Sequence, residues 1–124
     1  MTDSQTATVL IVDDEPSSVE ALGVVLGNQL RVLLACSGGE ALRLAADNRI
    51  DLVLMDVDLP DMSGFRCCQL LLAKSKPAPV VLFVSGYSDL VFELQAFEAG
   101  GSDYLTKPIS PARVMARITR HLGL

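Results

Sequence analysis

The chain has 124 residues, half of them hydrophobic, with 10 basic against 15 acidic side chains and a formal net charge of −5. That length fits one domain able to bury a core without disulfides or a structural metal. The acidic balance, with no basic run, argues against a direct nucleic-acid surface, and no apolar stretch is long enough to cross a membrane.

The N-terminus, Met1-Thr2-Asp3-Ser4-Gln5-Thr6, is polar and lacks the basic-then-apolar layout of a secretion signal. Cys36, Cys67 and Cys68 are odd in number and two are adjacent, which suits core packing in a reducing compartment better than a disulfide framework. Both features place the chain in the cytoplasm.

Five apolar strand candidates alternate with five helix-like segments, the pattern of parallel βαβ units. Ala7 to Val12 is the first strand, followed by Asp13-Asp14-Glu15 and by Pro16, which suits a first helical turn. The first helix would carry Val19, Leu22, Val25 and Leu26 on one face. Leu30 to Ala35 is the second strand. Ser37 followed by Glu40 is a capping box, starting a helix whose Ala41, Leu42, Ala45 and Ala46 can pack closely on a sheet.

The third strand, within Asp51-Leu52-Val53-Leu54-Met55-Asp56, is an apolar run ending on a carboxylate. Ligands of open parallel sheets lie beyond the carboxyl ends of the strands, so Asp56 is a candidate for chemistry. After Val57-Asp58-Leu59-Pro60 and a turn, Ser63 can cap a third helix through Cys67, Leu70 and Leu71 to about Lys74. Pro79 to Val84 is the fourth strand, ending on Ser85-Gly86. The fourth helix, about Asp89 to Ala99, carries two apolar stripes, Leu90/Leu94/Phe97 and Phe92/Ala96/Ala99, more than a core-facing side requires. Gly100-Gly101 ends it. Asp103 to Thr106 is a short fifth strand before Lys107-Pro108. Ser110 caps the last helix, Pro111 enters its first turn, and Val114, Ile118 and Leu122 line its buried face.

Right-handed crossovers place the helices on both faces of a five-stranded parallel sheet and bring Asp13, Asp14, Asp56, Ser85 and Lys107 to one edge. Carboxylates gathered there repel by about 4 kcal/mol per pair at a separation of about 4 Å and an effective dielectric of about 20. Such a cluster suits Mg²⁺, a hard cation that takes one or two protein carboxylates and keeps waters for a phosphate to replace, with Mn²⁺ as an alternative. A carboxylate beside the metal can act as a nucleophile toward phosphorus, with the lysine ammonium and the hydroxyl stabilising the transferring group.

With Asp13-Asp14 after strand one, Asp56 with Leu59-Pro60 and Gly64 after strand three, Ser85-Gly86 after strand four, and Asp103 to Pro108, the sequence resembles a receiver domain of a two-component response regulator from about Thr8 to Leu122. The resemblance implies a flavodoxin-like (βα)5 fold with strand order 2-1-3-4-5 and a cis Lys107-Pro108 peptide. It implies a signalling domain, not an enzyme, in which Asp56 accepts a phosphoryl group from a histidine kinase or phosphotransfer protein. Asp14, Asp56 and the backbone carbonyl of Asp58 would bind Mg²⁺, with Asp13 acting through water, while Ser85 and Lys107 would hold the phosphoryl oxygens. Ser85 and Tyr104 would form the switch. Leu90, Phe97, Tyr104 and Ile109 would then belong to a partner face on helix four, strand five and helix five, used by a partner or a second copy of the chain. The expectation is a single receiver domain over 1–124 with no output domain within these residues.

Asp58 and Tyr87 depart from the family pattern at positions bordering the path of an attacking water. Gly86 and Gly101 stand where many members have alanine, with a looser local backbone as the expectation. The bland readings take Asp13, Asp14 and Asp61 as turn or cap residues, Arg113, Arg117 and Arg120 as a solvated face, His121 as a neighbour of its own helix C-terminus, and the methionines as core fillers. Asp56-Val57-Asp58 also resembles the motif of haloacid-dehalogenase-like phosphatases, but that family places it after its first core strand and needs a cap region.

Overall fold

The computed structural model describes residues 6–124, apart from the side chains of Pro16, Ser18 and Val19. The polar stretch 1–5 and the expected core position of Val19 lie outside the described residues. Strands β1 (Thr8–Val12), β2 (Arg31–Ala35), β3 (Leu52–Asp56), β4 (Val80–Ser85) and β5 (Asp103–Thr106) alternate with helices α1 (Pro16–Leu26), α2 (Gly38–Asp47), α3 (Gly64–Lys74), α4 (Leu90–Glu98) and α5 (Pro111–Leu122). The strands form one parallel sheet in the order β2-β1-β3-β4-β5, the flavodoxin-like arrangement.

Side-chain alternation along each strand divides the core in two. Leu10, Val12, Val53, Met55, Val81 and Phe83 point to the face covered by α2, α3 and α4, where they meet Ala41, Cys67, Cys68, Leu71 and Ala96. Val9, Ile11, Leu52, Leu54, Leu82 and Val84 point to the other face and meet Leu22 and Leu26 of α1 and Val114 and Ile118 of α5. β1 and β3 are buried along their whole length, as strands covered on both faces must be. Burying each of the large aliphatic side chains stabilises the fold by about 1.5–3 kcal/mol.

Several local expectations shift. β1 begins at Thr8, β2 at Arg31, and β4 covers Val80–Ser85 rather than Pro79 to Val84. Leu30 is instead tied to the end of α1, its N–H donating to the Leu26 carbonyl. On α1, Leu22 and Leu26 are buried but Val25 is 43% exposed, because the helix presents only one narrow stripe to the sheet. Ser37 caps α2 by accepting from the Glu40 N–H at 3.1 Å, but Glu40 reaches back to the Cys36 N–H at 2.7 Å instead of closing the box on Ser37. Ala46 is exposed while Ala41 is buried. Ser63 and Ser110 cap α3 and α5 as expected, accepting from Arg66 and Arg113.

Gly100, at φ 108°, ends the α4 segment in a conformation open to glycine, and Gly100 and Gly101 donate to the Phe97 and Ala96 carbonyls. Lys107-Pro108 is cis, and so is Lys76-Pro77. Among the described residues, no helix is long and apolar enough to cross a membrane.

Candidate functional site

The sheet register levels the strand ends. Val12 pairs with Met55 and Ala35, Asp56 with Val84, and Ser85 with Thr106, so the residues that follow these pairs emerge together at one edge. Asp13 continues the β1 ladder, donating its N–H to the Ala35 carbonyl at 3.0 Å, and its Oδ1 accepts from the Glu15 N–H at 2.9 Å. Lys107 continues the β5 ladder, donating its N–H to the Ser85 carbonyl at 2.7 Å. The side chains of Asp13, Asp14 and Asp56 converge so that one carboxylate oxygen from each lies within 4.8 Å of the others.

Asp56 is 5% exposed. Its Oδ2 accepts from Lys107 Nζ at 3.1 Å and its Oδ1 from the Asp58 N–H at 3.1 Å. Lys107 Nζ also lies 3.4 Å from Asp13 Oδ2 and 3.9 Å from Glu15 Oε1. Burial pushes the Asp56 carboxyl above its ordinary pKa; the bonds from Lys107 and the Asp58 N–H pull it down without cancelling the burial, and the Asp13 charge adds to the rise. Burial alone would lower the Lys107 ammonium, but Asp56 and Asp13 outweigh it and hold its pKa up. One ammonium therefore faces more carboxylate than it can neutralise. A hard divalent cation with oxygen ligands fits this donor set, and its charge would offset the cost of burying Asp56.

The segment after Asp56 is closed tightly. Gly64 donates its N–H to the Val57 carbonyl at 2.6 Å, Asp58 bridges Ser63, and a Cβ on Gly64 would stand 2.1 Å from the Asp56 carbonyl oxygen. Only glycine permits that approach.

On the other side of the site, Ser85 is buried and its Oγ accepts from the Tyr87 N–H at 3.0 Å. The hydroxyl of Tyr104 donates to the Tyr87 carbonyl. The Tyr87 ring stacks on Phe92 of α4, with centroids 4.3 Å apart and planes 6° from parallel. Ser85, Tyr87 and Tyr104 thus form one connected unit reaching from the carboxylate site to α4. Leu90, Leu94 and Phe97 stand 68%, 53% and 46% exposed on α4, while Ala96 and Ala99 are buried and Phe92 packs on the core. Ile109 is half-buried against the core cluster of α1 and α5.

Four contacts were not expected from the sequence. Glu15 adds a distant third carboxylate to Lys107. His121 turns away from its own helix terminus to place Nε2 3.0 Å from Asp103 Oδ2, and Arg117 leaves the solvated face to donate from Nη1 to both Asp103 oxygens at 2.8 Å. Asp61 reaches beyond its own turn; its two oxygens accept from the Gly38 and Gly39 N–H groups of α2 at 2.9 and 2.8 Å. Paired glycines opening a helix are the sole sequence signal for the last of these. Cys67 and Cys68 are buried thiols pushed up to about 11 and about 12, chiefly by burial, as core residues would be.

The response regulator receiver domain family profile matches residues 9–119. The chain is 38% identical over 120 residues to the transcriptional regulatory protein YvrH of Bacillus subtilis, covering 95% of this chain and 50% of that protein. It is 34% identical over 117 residues to the signal transduction histidine-protein kinase BarA of Escherichia coli, covering 92% of this chain and 13% of that protein. The chain thus spans half or less of the length of these relatives. Among solved structures, a CheY-like response regulator receiver domain protein from Methanospirillum hungatei superposes with a TM-score of 0.89 at 28% identity, over 96% of this chain and 95% of that one.

Proposed function

The chain belongs to the response regulator receiver domain family, a phosphorelay signalling family, and on that footing we propose that Asp56 is its phosphoacceptor. The observation that carries this reading is the pairing of buried Asp56 with Lys107 inside a cluster that also holds Asp13 and Asp14.

A carboxylate oxygen of Asp56 attacks the phosphorus of a phosphohistidine on a histidine kinase or phosphotransfer protein. The new O–P bond forms as the N–P bond breaks, leaving an acyl phosphate on Asp56, and the departing ring nitrogen takes a proton from solvent to give a free imidazole on the donor. Asp14, Asp56 and the Asp58 carbonyl would hold Mg²⁺, with Asp13 helping through a water; Mn²⁺ would suit the same donors. When bound, the metal supplies positive charge that neutralises the phosphoryl oxygens and the crowded carboxylates. Lys107, already 3.1 Å from Asp56, moves its ammonium from the carboxylate to a phosphoryl oxygen, so that its charge follows the charge being transferred. Ser85 gives up the Tyr87 N–H as its partner and donates its hydroxyl to another phosphoryl oxygen.

That exchange at Ser85 is the switch: Tyr87 and Tyr104 sit on the same bonded unit, and their rearrangement alters the face built from α4, β5 and α5. Leu90, Phe97 and Tyr104, with Ile109 at the margin, form the docking surface for a partner or for a second copy of the chain. The domain acts as a signalling module in the cytoplasm, where such donors work and its free thiols persist, and it assists its own phosphorylation and dephosphorylation.

The test is incubation with Mg²⁺ and a small phosphodonor, followed by intact mass. A single phosphoryl adduct is expected on the native chain and none on Asp56→Asn. An adduct that persists on Asp56→Asn, or none on either, removes the assignment.

A further inference from the structure

The loop between β3 and α3 carries Asp58, whose N–H donates to Asp56 Oδ1 and whose carbonyl is the backbone ligand in the reading above. Its two ends are drawn together by the Asp58–Ser63 bridge and the Gly64-to-Val57 bond. Its tip is fastened elsewhere. Asp61 sends both carboxylate oxygens to consecutive N–H groups of Gly38 and Gly39, 23 and 22 residues away in the chain. Beside it, Met62 lies over Gly38 so closely that a Cβ there would fall 2.6 Å from Met62 Cγ.

The first turn of α2 leaves N–H groups without intrahelical partners, and the positive end of its dipole favours an anion. Ser37 supplies one acceptor, to Glu40, and Glu40 answers the Cys36 N–H. Asp61 supplies the remaining two from a different element. The bonds to Gly39 and Gly38 hold its carboxyl below the ordinary range, so it stays ionised in the fastened state. α2 packs in turn on α3, β2 and β1, which makes its N-terminus a fixed point against which a loop can be held.

We propose that Asp61 is a positioning residue for the divalent-cation site: by clamping the tip of the β3–α3 loop to the α2 N-terminus, it holds the Asp58 carbonyl and N–H in place at Asp56. This rests on the reading of the site as a Mg²⁺-binding receiver centre. A metal ligand on a loop is held by its outer contacts, and freeing them lets the carbonyl sample orientations that do not bind. Asp61 touches neither the metal nor the phosphoryl group. Its removal therefore weakens metal affinity while leaving the chemistry at saturating metal nearly intact.

The test compares the native chain with Asp61→Ala, Asp61→Asn and Ser37→Ala. Mg²⁺ affinity is measured by calorimetric titration, and phosphorylation by a small phosphodonor is followed across Mg²⁺ concentrations. Asp61→Ala should weaken Mg²⁺ binding about 10-fold, the low end for lost outer contacts of a metal ligand, and its phosphorylation rate should return to the native value at saturating Mg²⁺. Asp61→Asn, which keeps one strong acceptor, should fall between. Ser37→Ala removes a cap of the same helix without touching the loop, so it should lower thermal stability with Mg²⁺ affinity unchanged.

Native Mg²⁺ affinity in Asp61→Ala, or an equal loss in Ser37→Ala, overturns the proposal in favour of a helix cap alone. If Asp61→Ala does not fold, Asp61→Asn against Ser37→Ala carries the same comparison. A native chain that takes up no Mg²⁺ would overturn the metal-site reading itself, a result distinct from native-like binding by the variants.

Discussion

Lys107 Nζ sits 3.1 Å from Asp56 Oδ2 and 3.4 Å from Asp13 Oδ2, standing between two carboxylates that burial would otherwise leave in mutual repulsion. On the function proposed above, the same ammonium would compete with a divalent cation and then attend the phosphoryl group. Replacing it should separate these roles. Lys107→Ala is expected to bind Mg²⁺ more tightly than the native chain, because a neighbouring positive charge is gone, and to be phosphorylated about 100-fold more slowly, the scale of losing one transition-state donor. Calorimetry and a phosphorylation time course at saturating Mg²⁺ check the pair. Weaker metal binding in the variant would contradict this division of labour.

Asp103 is the anchor of α5 on β5. Burial would raise its pKa, but His121, Arg117 and the Tyr104 N–H, all bonded to it, bring the carboxyl below 3.8. A carboxylate depressed in the folded state contributes stability above its unfolded pKa, and that contribution is lost as pH falls through the folded value. Asp103→Ala should therefore cost about 1–2 kcal/mol near neutral pH, as expected for a partly exposed charge-assisted pair. The gap to the native chain should close as pH drops below 3.8. Urea unfolding at a series of pH values reads this directly; a gap of constant size down to acid pH would mean the anchor acts through packing.

The sheet and the site edge were legible because both depend on local chemistry. Short apolar runs ending on Asp13, Asp56 and Ser85, punctuated by Pro16, Gly64 and Gly100, carry strand, turn and helix signals within a few residues of one another. Contacts between elements were not legible in the same way. Asp61 meets Gly38 and Gly39 across more than 20 residues, and Asp103 meets Arg117 and His121 across 14 and 18, distances over which no periodicity says which side chain will arrive. Val25 shows the same limit on α1: helical spacing groups it with Leu22 and Leu26, but only the angle at which the helix lies on the sheet decides that it stays exposed.

Gly86 and Gly101 separate a loose backbone from a crowded one. Around Gly86 a Cβ would meet nothing within 4 Å, and its φ is not positive. Gly86→Ala should stabilise the chain by about 0.5 kcal/mol by restricting the unfolded state. A Cβ on Gly101 would fall 2.6 Å from the Phe83 ring and 2.9 Å from the Ala96 carbonyl oxygen, so the expectation of looseness there is replaced by tight packing. Gly101→Ala should cost about 1–3 kcal/mol, as overpacking a core position does. Thermal unfolding of the two variants should give shifts of opposite sign, and two shifts of the same sign would refute the contrast.

The exposed stripe on α4 has no role in the core that its sequence otherwise serves. Leu90 and Phe97 are 68% and 46% exposed, and the bonded unit of Ser85, Tyr87 and Tyr104 meets the same helix where Tyr87 stacks on Phe92. Replacing both with lysine should change folding stability by no more than about 0.5 kcal/mol, since exposed positions contribute little to the core. Phosphorylation of Asp56 should proceed at the native rate, because neither side chain enters the site. What should disappear is association: light scattering on the phosphorylated native chain is expected to show a dimer, and on Leu90→Lys/Phe97→Lys a monomer. If the double variant associates like the native chain, the switch reaches a different surface. If the native chain stays monomeric when fully phosphorylated, self-association is not what the stripe is for, and the lysine variant should then be tested for loss of phosphorylation-dependent binding to a candidate partner protein.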